Sequence, residues 1–149
     1  MKPTIVTGSG RSGTHWLAHV LNYFMDARHE PPGYEDGEII VDCRARKKRK
    51  DLERDGHKLI HLVRDGRDVV RSAHTFWDGS YTFEEMCREW AQAVEQCAGL
   101  RTIRLRDIAR PQASTSRYLL PHWSLWDEQM TDTFWRICGE QMRRHGYER

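Results

Sequence analysis

The chain has 149 residues, the size of a single domain, with 38% hydrophobic and 31% charged residues and a net charge of only +2. Its apolar runs fall far short of the roughly 20 residues a membrane helix needs, so no membrane partner is expected. Met1-Lys2-Pro3 lacks the apolar stretch of a secretory leader, and Cys43, Cys87, Cys97 and Cys138 form no CxxC pair; together these predict reduced thiols and a cytoplasmic location.

The first predicted element is a short strand over 4–7, followed by the glycine-rich turn "TGSGRSGTHWL" (7–17) and a helix over 14–25. Trp16, Leu17, Val20, Leu21 and Phe24 share one face of that helix at helical spacing. "HEPPGYEDG" (29–37) is a loop by its prolines and glycines. A short strand is predicted over 38–42 and a charged helix over 44–56, closed by Gly56. "KLIHLV" (58–63) is the strongest strand, apolar on both faces as a covered parallel sheet requires.

A helix opens at Asp65 or Gly66, with Val69, Val70, Ala73 and Trp77 facing inward. Thr82 and Glu85 form a capping box with Tyr81 stapling onto Met86, and Phe83, Met86, Trp90, Val94 and Cys97 line the helix that follows. A strand is predicted over 101–108 and a polar irregular segment over 110–118. The last helix starts near Thr131, presents Phe134, Ile137, Cys138 and Met142, and ends at Gly146 after the cationic Arg143, Arg144 and His145. The alternation predicts a three-layer α/β/α domain with a small parallel sheet spanning 1–149. Trp16, Trp77 and Trp90 are expected in the core. Trp123 and Trp126 are less regular, and either pack there or stack on an adenine or a sugar.

In the turn, Gly8, Gly10 and Gly13 let backbone N–H groups converge on an anion at a helix N-terminus. The ATP-binding pattern GxxxxGK[ST] would demand lysine where Thr14 stands. Arg11 instead places a permanent guanidinium in the loop, able to give two parallel hydrogen bonds to an oxyanion. "HLVRDGRDVVRS" (61–72) sets Arg64 at the end of a strand and Ser72 on the next helix, where α/β sheets bind ligands. Arg64 and Ser72 are thus candidates for a second phosphate. The alternative is that Arg64, Asp65, Arg67 and Asp68 are salt-bridged capping residues.

Together, the two stretches resemble the sulfotransferase family, whose donor is 3′-phosphoadenosine 5′-phosphosulfate (PAPS) and whose product is PAP. "GSGRSGTHWL" looks like the 5′-phosphosulfate loop in its arginine form, and "LVRDGRDVVRS" like the 3′-phosphate motif. The tail "HWSLWDEQMTDTFWRICGEQMRRHGYE" (122–148) is similar to that family's end, and "TIRLRDI" to one of its strands. The resemblance implies a P-loop-type fold, a minimal sulfotransferase core, with no metal required. It implies donor contacts from Gly10, Arg11, Ser12, Gly13, Thr14 and His15, and from Arg64 and Ser72. His15 departs from the usual second hydroxyl residue of the loop. The chain is short for the family, so much of the acceptor lid is absent or comes from a second copy.

Arg11 is the candidate cation for charge developing at the bridging oxygen; its pKa is too high for a general acid. For the base the resemblance points to "RHEPP" (28–32): Glu30 first, with His29 close behind because its ordinary pKa near 6.5 suits the task. Asp42 is a weaker candidate. The basic run "RARKKRK" (44–50) reads as a solvated helix face, or else as a landing strip for an anionic glycan. No aromatic-rich motif accompanies it, so nucleic acid is not the expected partner. The expected reaction moves a sulfuryl group to a hydroxyl on a small molecule or glycan, a carbohydrate in preference to a steroid. The rivals are a P-loop kinase or NTPase, with "EIIVD" (38–42) as its metal-binding strand, and a non-catalytic module binding PAP or an anionic glycan.

Overall fold

Ile5 and Val6 point to opposite sides of Thr4–Thr7 (β1), and both are buried, which makes this strand the middle of a sheet covered on both faces. The computed structural model describes residues 2–35, 37–108 and 118–149. Its strands are β1, Ala27–His29 (β2), Ile39–Val41 (β3), Lys58–Val63 (β4) and Arg101–Arg104 (β5). They form one all-parallel sheet in the order β2-β3-β1-β4-β5. The helices are Thr14–Leu21 (α1), Arg49–Arg54 (α2), Gly66–Phe76 (α3), Phe83–Gln96 (α4), Leu105–Ile108 (α5) and Glu128–Arg144 (α6).

On one face, Ile5, Ile40 and Leu59 pack with Ala45 and Leu52, and Val63 joins a larger core with Val70, Trp90, Phe134 and Met142 of α3, α4 and α6. On the other, Val6, Val41 and Leu62 pack under Leu17 and Ala18 of α1, flanked by Ile103 and Leu105. Connections leave the C-terminal ends of the neighbouring strands β1 and β4 in opposite directions, toward β2 and β5. That switch opens a crevice between the loop after β1 and the start of α3. Among the described residues no helix is long and apolar enough to cross a membrane.

Several elements differ from the sequence expectation, each for a local reason. α1 stops at Leu21, where the tighter bonds Tyr23 N–H to Val20 O and Phe24 N–H to Leu21 O end the helix and leave Phe24 exposed. β2 falls between the predicted helix and the predicted loop, where no strand was expected, and its three residues bury only Ala27, too little for a periodic signal. The charged segment is a 3₁₀ turn, Ala45–Lys48, before a short α2, because Arg46 turns inward. β5 ends at Arg104: Asp107 pairs back to Arg104 at 2.7 Å, and Leu105 leaves the strand to pack on the α1 side. Asp127 caps α6 by accepting from the Met130 N–H at 2.8 Å, so that helix starts at Glu128.

The capping box at Thr82 and Glu85 is present, but Tyr81 makes an edge contact with Trp77. Trp16 and Trp77 are half exposed where core was expected, whereas Trp90 is buried. Trp126 packs on Phe83 and Phe134, and Trp123 lies under the Arg67 guanidinium at 4.0 Å. The polar segment predicted over 110–118 lies, except for Tyr118, outside the described residues.

His61 of β4 is buried against His145, with ring centroids 5.4 Å apart, and its Nε2 meets no partner among the described residues. Burial, with the neighbouring His145, pushes its pKa down to about 4. The unfolded chain therefore takes up this proton near pH 6.5, while the folded chain resists it until about pH 4. The stabilisation is complete above pH 6.5 and is lost as the pH falls toward 4. Urea unfolding at pH 7.5 and 4.5 should give a loss of about 2–3 kcal/mol from this group, and His61→Leu should remove that part of the pH dependence.

Candidate functional site

Thr7 ends β1 and Gly8 turns the chain so closely over β4 that an added Cβ would lie 2.2 Å from the Leu62 carbonyl oxygen. Four of the loop's carbonyls are then tied off. Gly8 O accepts from Arg46 Nη1 at 3.3 Å, and Ser9 O accepts from the Ser12 amide and from Ser12 Oγ at 2.7 Å. Arg11 O accepts from Arg64 Nη1 at 3.4 Å, and Gly13 O from the Leu17 amide at 2.9 Å. No acceptor among the described residues takes the N–H groups of Ser9, Gly10, Arg11, Gly13 or Thr14.

Helix α1 begins on Gly13, in the left-handed region at φ 97°, with no side-chain cap and no acid in its first turn. The ends of α3, α4 and α6 are instead capped by Asp65, Thr82 and Asp127. The result is a row of free amides on the positive end of a helix, an arrangement that binds oxyanions.

Arg11 sits at φ 66°, a left-handed conformation unusual outside glycine. Its Nε donates to Ser72 Oγ at 3.1 Å, and its guanidinium carbon lies 4.8 Å from the centre of the Phe76 ring. Arg64 also pairs with Asp68 at 3.6 Å. Arg64, just ahead of α3, is followed at four-residue spacing by Asp68, Ser72 and Phe76, one stripe of that helix. The two sequence motifs thus meet, with Arg11 linking them. Asp65 and Arg67 take the capping role instead: Asp65 accepts from the Arg67 amide and pairs with its guanidinium at 2.7 Å.

These groups line a cleft of about 2010 Å³ at the C-terminal edge of the sheet, larger than the roughly 300–1,000 Å³ of a single-ligand pocket. Gly10, Gly13, Thr14, His15, His29 and Glu30 line it together with Arg11, Arg64 and Ser72. Ser12 is fully buried, its hydroxyl committed to Ser9 O, so its side chain braces the loop. Thr14 Oγ1 lies 3.4 Å from His29 Nε2, and the rings of His15 and His29 meet edge to face at 5.1 Å. Burial lowers the His29 pKa, reinforced by His15 and opposed by Glu30. Glu30, at φ 45°, accepts a hydrogen bond from the Cys43 thiol at 3.0 Å. Burial and that bond push the Cys43 pKa up to about 12, so the thiol keeps its proton.

Donor atoms of Glu30, Asp42 and Cys43 lie within 4.8 Å of one another, a compact group that sequence spacing did not reveal. Asp42 is already engaged: its oxygens accept from Tyr34 at 2.7 Å and from the Arg44 amide and guanidinium at 2.8 to 3.2 Å. Burial alone would raise its pKa, but the bonds from Arg44 and Tyr34 outweigh burial and hold it below the usual range.

The basic run is not a solvated face throughout. Arg46 is 7% exposed, and Arg49 donates to the carbonyls of Gln96 and Ala98, pinning the end of α4. Nothing in the sequence marks Arg46 apart from its neighbours. Phe76 was legible in principle, four residues beyond Ser72 on the same helix. Compared with models of known protein families, with curated proteins and with solved structures, the chain matches none.

Proposed function

We propose that the protein is a minimal, cytosolic sulfotransferase of P-loop type, transferring a sulfuryl group from PAPS to a hydroxyl acceptor, by preference a carbohydrate. The observation that carries this reading is the meeting of Arg11 with Arg64 and Ser72, from two segments, beside a loop with five amides untaken among the described residues and four carbonyls tied off. An ordinary ATP site would use a loop lysine here; this site offers the guanidinium groups of Arg11 and Arg64, a chemistry suited to a ligand with two anionic groups.

In the proposed reaction the acceptor oxygen attacks sulfur, and the bond from sulfur to the bridging phosphate oxygen breaks. The electron pair stays on the phosphate of PAP, and the acceptor proton passes to Glu30 or His29. The untaken amides of Gly10, Arg11, Gly13 and Thr14, with His15 beside them, would hold the 5′-phosphosulfate, Arg64 and Ser72 the 3′-phosphate, and Arg11 the charge gathering on the leaving phosphate. The volume of the cleft leaves room for an acceptor beside the donor.

Thermal-shift titration tests the donor site. PAP at 100 times its dissociation constant should add about 2.7 kcal/mol, moving the midpoint by roughly 5–10 °C. Magnesium-ATP should give no comparable shift, and Arg64→Ala should abolish the PAP response. A shift with magnesium-ATP and none with PAP would replace this reading with a kinase. PAP binding without sulfuryl transfer to a panel of hydroxyl acceptors would leave a binding module.

A further inference from the structure

Arg46 borders the cleft, yet its backbone amide and both terminal guanidinium nitrogens are spent on the protein itself. Its backbone amide donates to Thr7 Oγ1 at 3.0 Å. Its Nη1 donates to the carbonyls of Gly8 and Cys43, and its Nη2 pairs with Glu89 of α4 at 2.7 Å. At 7% exposure, with Nε unpartnered among the described residues, this guanidinium is costly to bury for packing alone.

The consequence falls on one peptide unit. Gly8 is wedged against the Leu62 carbonyl on its Cα side, while its own carbonyl is drawn toward Arg46. In a trans peptide the N–H points opposite to the C=O, and the described residues contain no cis bond. Holding Gly8 O on Arg46 therefore turns the Ser9 N–H away from the guanidinium and leaves it among the untaken amides of the loop. Glycine at position 8 would otherwise let this peptide flip freely.

We propose that Arg46 is the positioning residue of the anion loop: through the Gly8 carbonyl, and steadied by Glu89, it fixes the first amide of the cradle toward the bound anion. This rests on the reading that loop 8–14 holds a phosphate group, but not on which phosphate compound it holds.

The test is calorimetric titration of PAP and, separately, inorganic pyrophosphate into the wild type, Arg46→Lys and Glu89→Gln, with the thermal midpoint and amide NMR spectrum of each unliganded protein. Lysine keeps the charge but not the fork, so Arg46→Lys should weaken both ligands at least tenfold in a protein that remains folded. Its Ser9 amide resonance should move while those of α6 stay, which a merely structural loss would not produce. Glu89→Gln, at an exposed position, should weaken both ligands about threefold and shift the same resonance; it carries the test if the lysine variant does not fold. Wild-type affinity in either folded variant, or an unmoved Ser9 resonance, overturns the proposal. Pyrophosphate binding that depends on Arg46, with no PAP binding, would remove the sulfotransferase reading and leave the role of Arg46 standing. Binding of neither anion to the wild type would remove both.

Discussion

Gly8→Ala should lose about 3–5 kcal/mol of folding stability, a large share of the 5–15 kcal/mol a domain of this size commonly has. The added methyl would lie 2.2 Å from the Leu62 carbonyl oxygen and 3.3 Å from its carbon, with Ser12 Oγ at 3.1 Å on another side. A flexible side chain could move aside; this oxygen belongs to the backbone of β4, in register with β1 from Thr4 opposite Lys58 to Thr7 opposite His61. Relief requires parting the two central strands or lifting the loop off the sheet, and lifting it also breaks the Arg46 bond to Gly8 O. Gly10→Ala is the internal control, because nothing lies within 4 Å of its added methyl and its φ is not left-handed. Denaturant unfolding should show Gly10→Ala within about 1 kcal/mol of wild type. Equal stabilities for the two variants would mean that the loop is not seated on Leu62.

The parts of the fold that the sequence made legible are those with strong local signals. β1 and β4 announce themselves by apolar residues on both faces, α4 by its capping box, and the two motifs by glycine and arginine spacing. Elements set by tertiary contacts were hidden. β2 exists because Ala27–His29 can pair with β3, and nothing in three residues with one buried side chain signals that. The same holds for the basic run, whose composition suggests a wet surface although Arg46 and Arg49 reach inward to carbonyls distant in sequence. Trp16 and Trp77 fit an apolar helical stripe, yet these stripes are wider than the surface that covers them, and both rings border the cleft. For the site, the sequence supplied Arg11, Arg64 and Ser72 as candidates. It carried no sign that Arg11 itself would bridge to Ser72 and lie over Phe76.

That bridge leads to a prediction in which stability and activity move in opposite directions. Arg11 occupies φ 66°, where a non-glycine residue carries a backbone cost of about 1–2 kcal/mol. The contacts that offset it, one hydrogen bond to Ser72 and the face of a half-exposed Phe76, are modest. Arg11→Gly should therefore leave folding stability unchanged or raise it by up to about 1 kcal/mol. On the proposed function the same change removes the cation at the bridging oxygen, and kcat should fall about 10²–10³-fold, the usual loss for one such donor. Arg11→Lys keeps a charge without the planar fork or its stacking on Phe76, and should recover only part of that loss. Affinity for PAP should change much less than kcat, because the loop amides, Arg64 and Ser72 remain to hold the nucleotide. Steady-state transfer rates, PAP titrations and urea unfolding on the three proteins decide it. If Arg11→Gly were destabilised by several kcal/mol, Arg11 would be a structural brace, and its left-handed backbone would need no functional explanation. If it were stable and fully active, the charge on the leaving phosphate would have to be met elsewhere in the cleft, with Arg64, whose guanidinium bonds to Arg11 O, the first candidate.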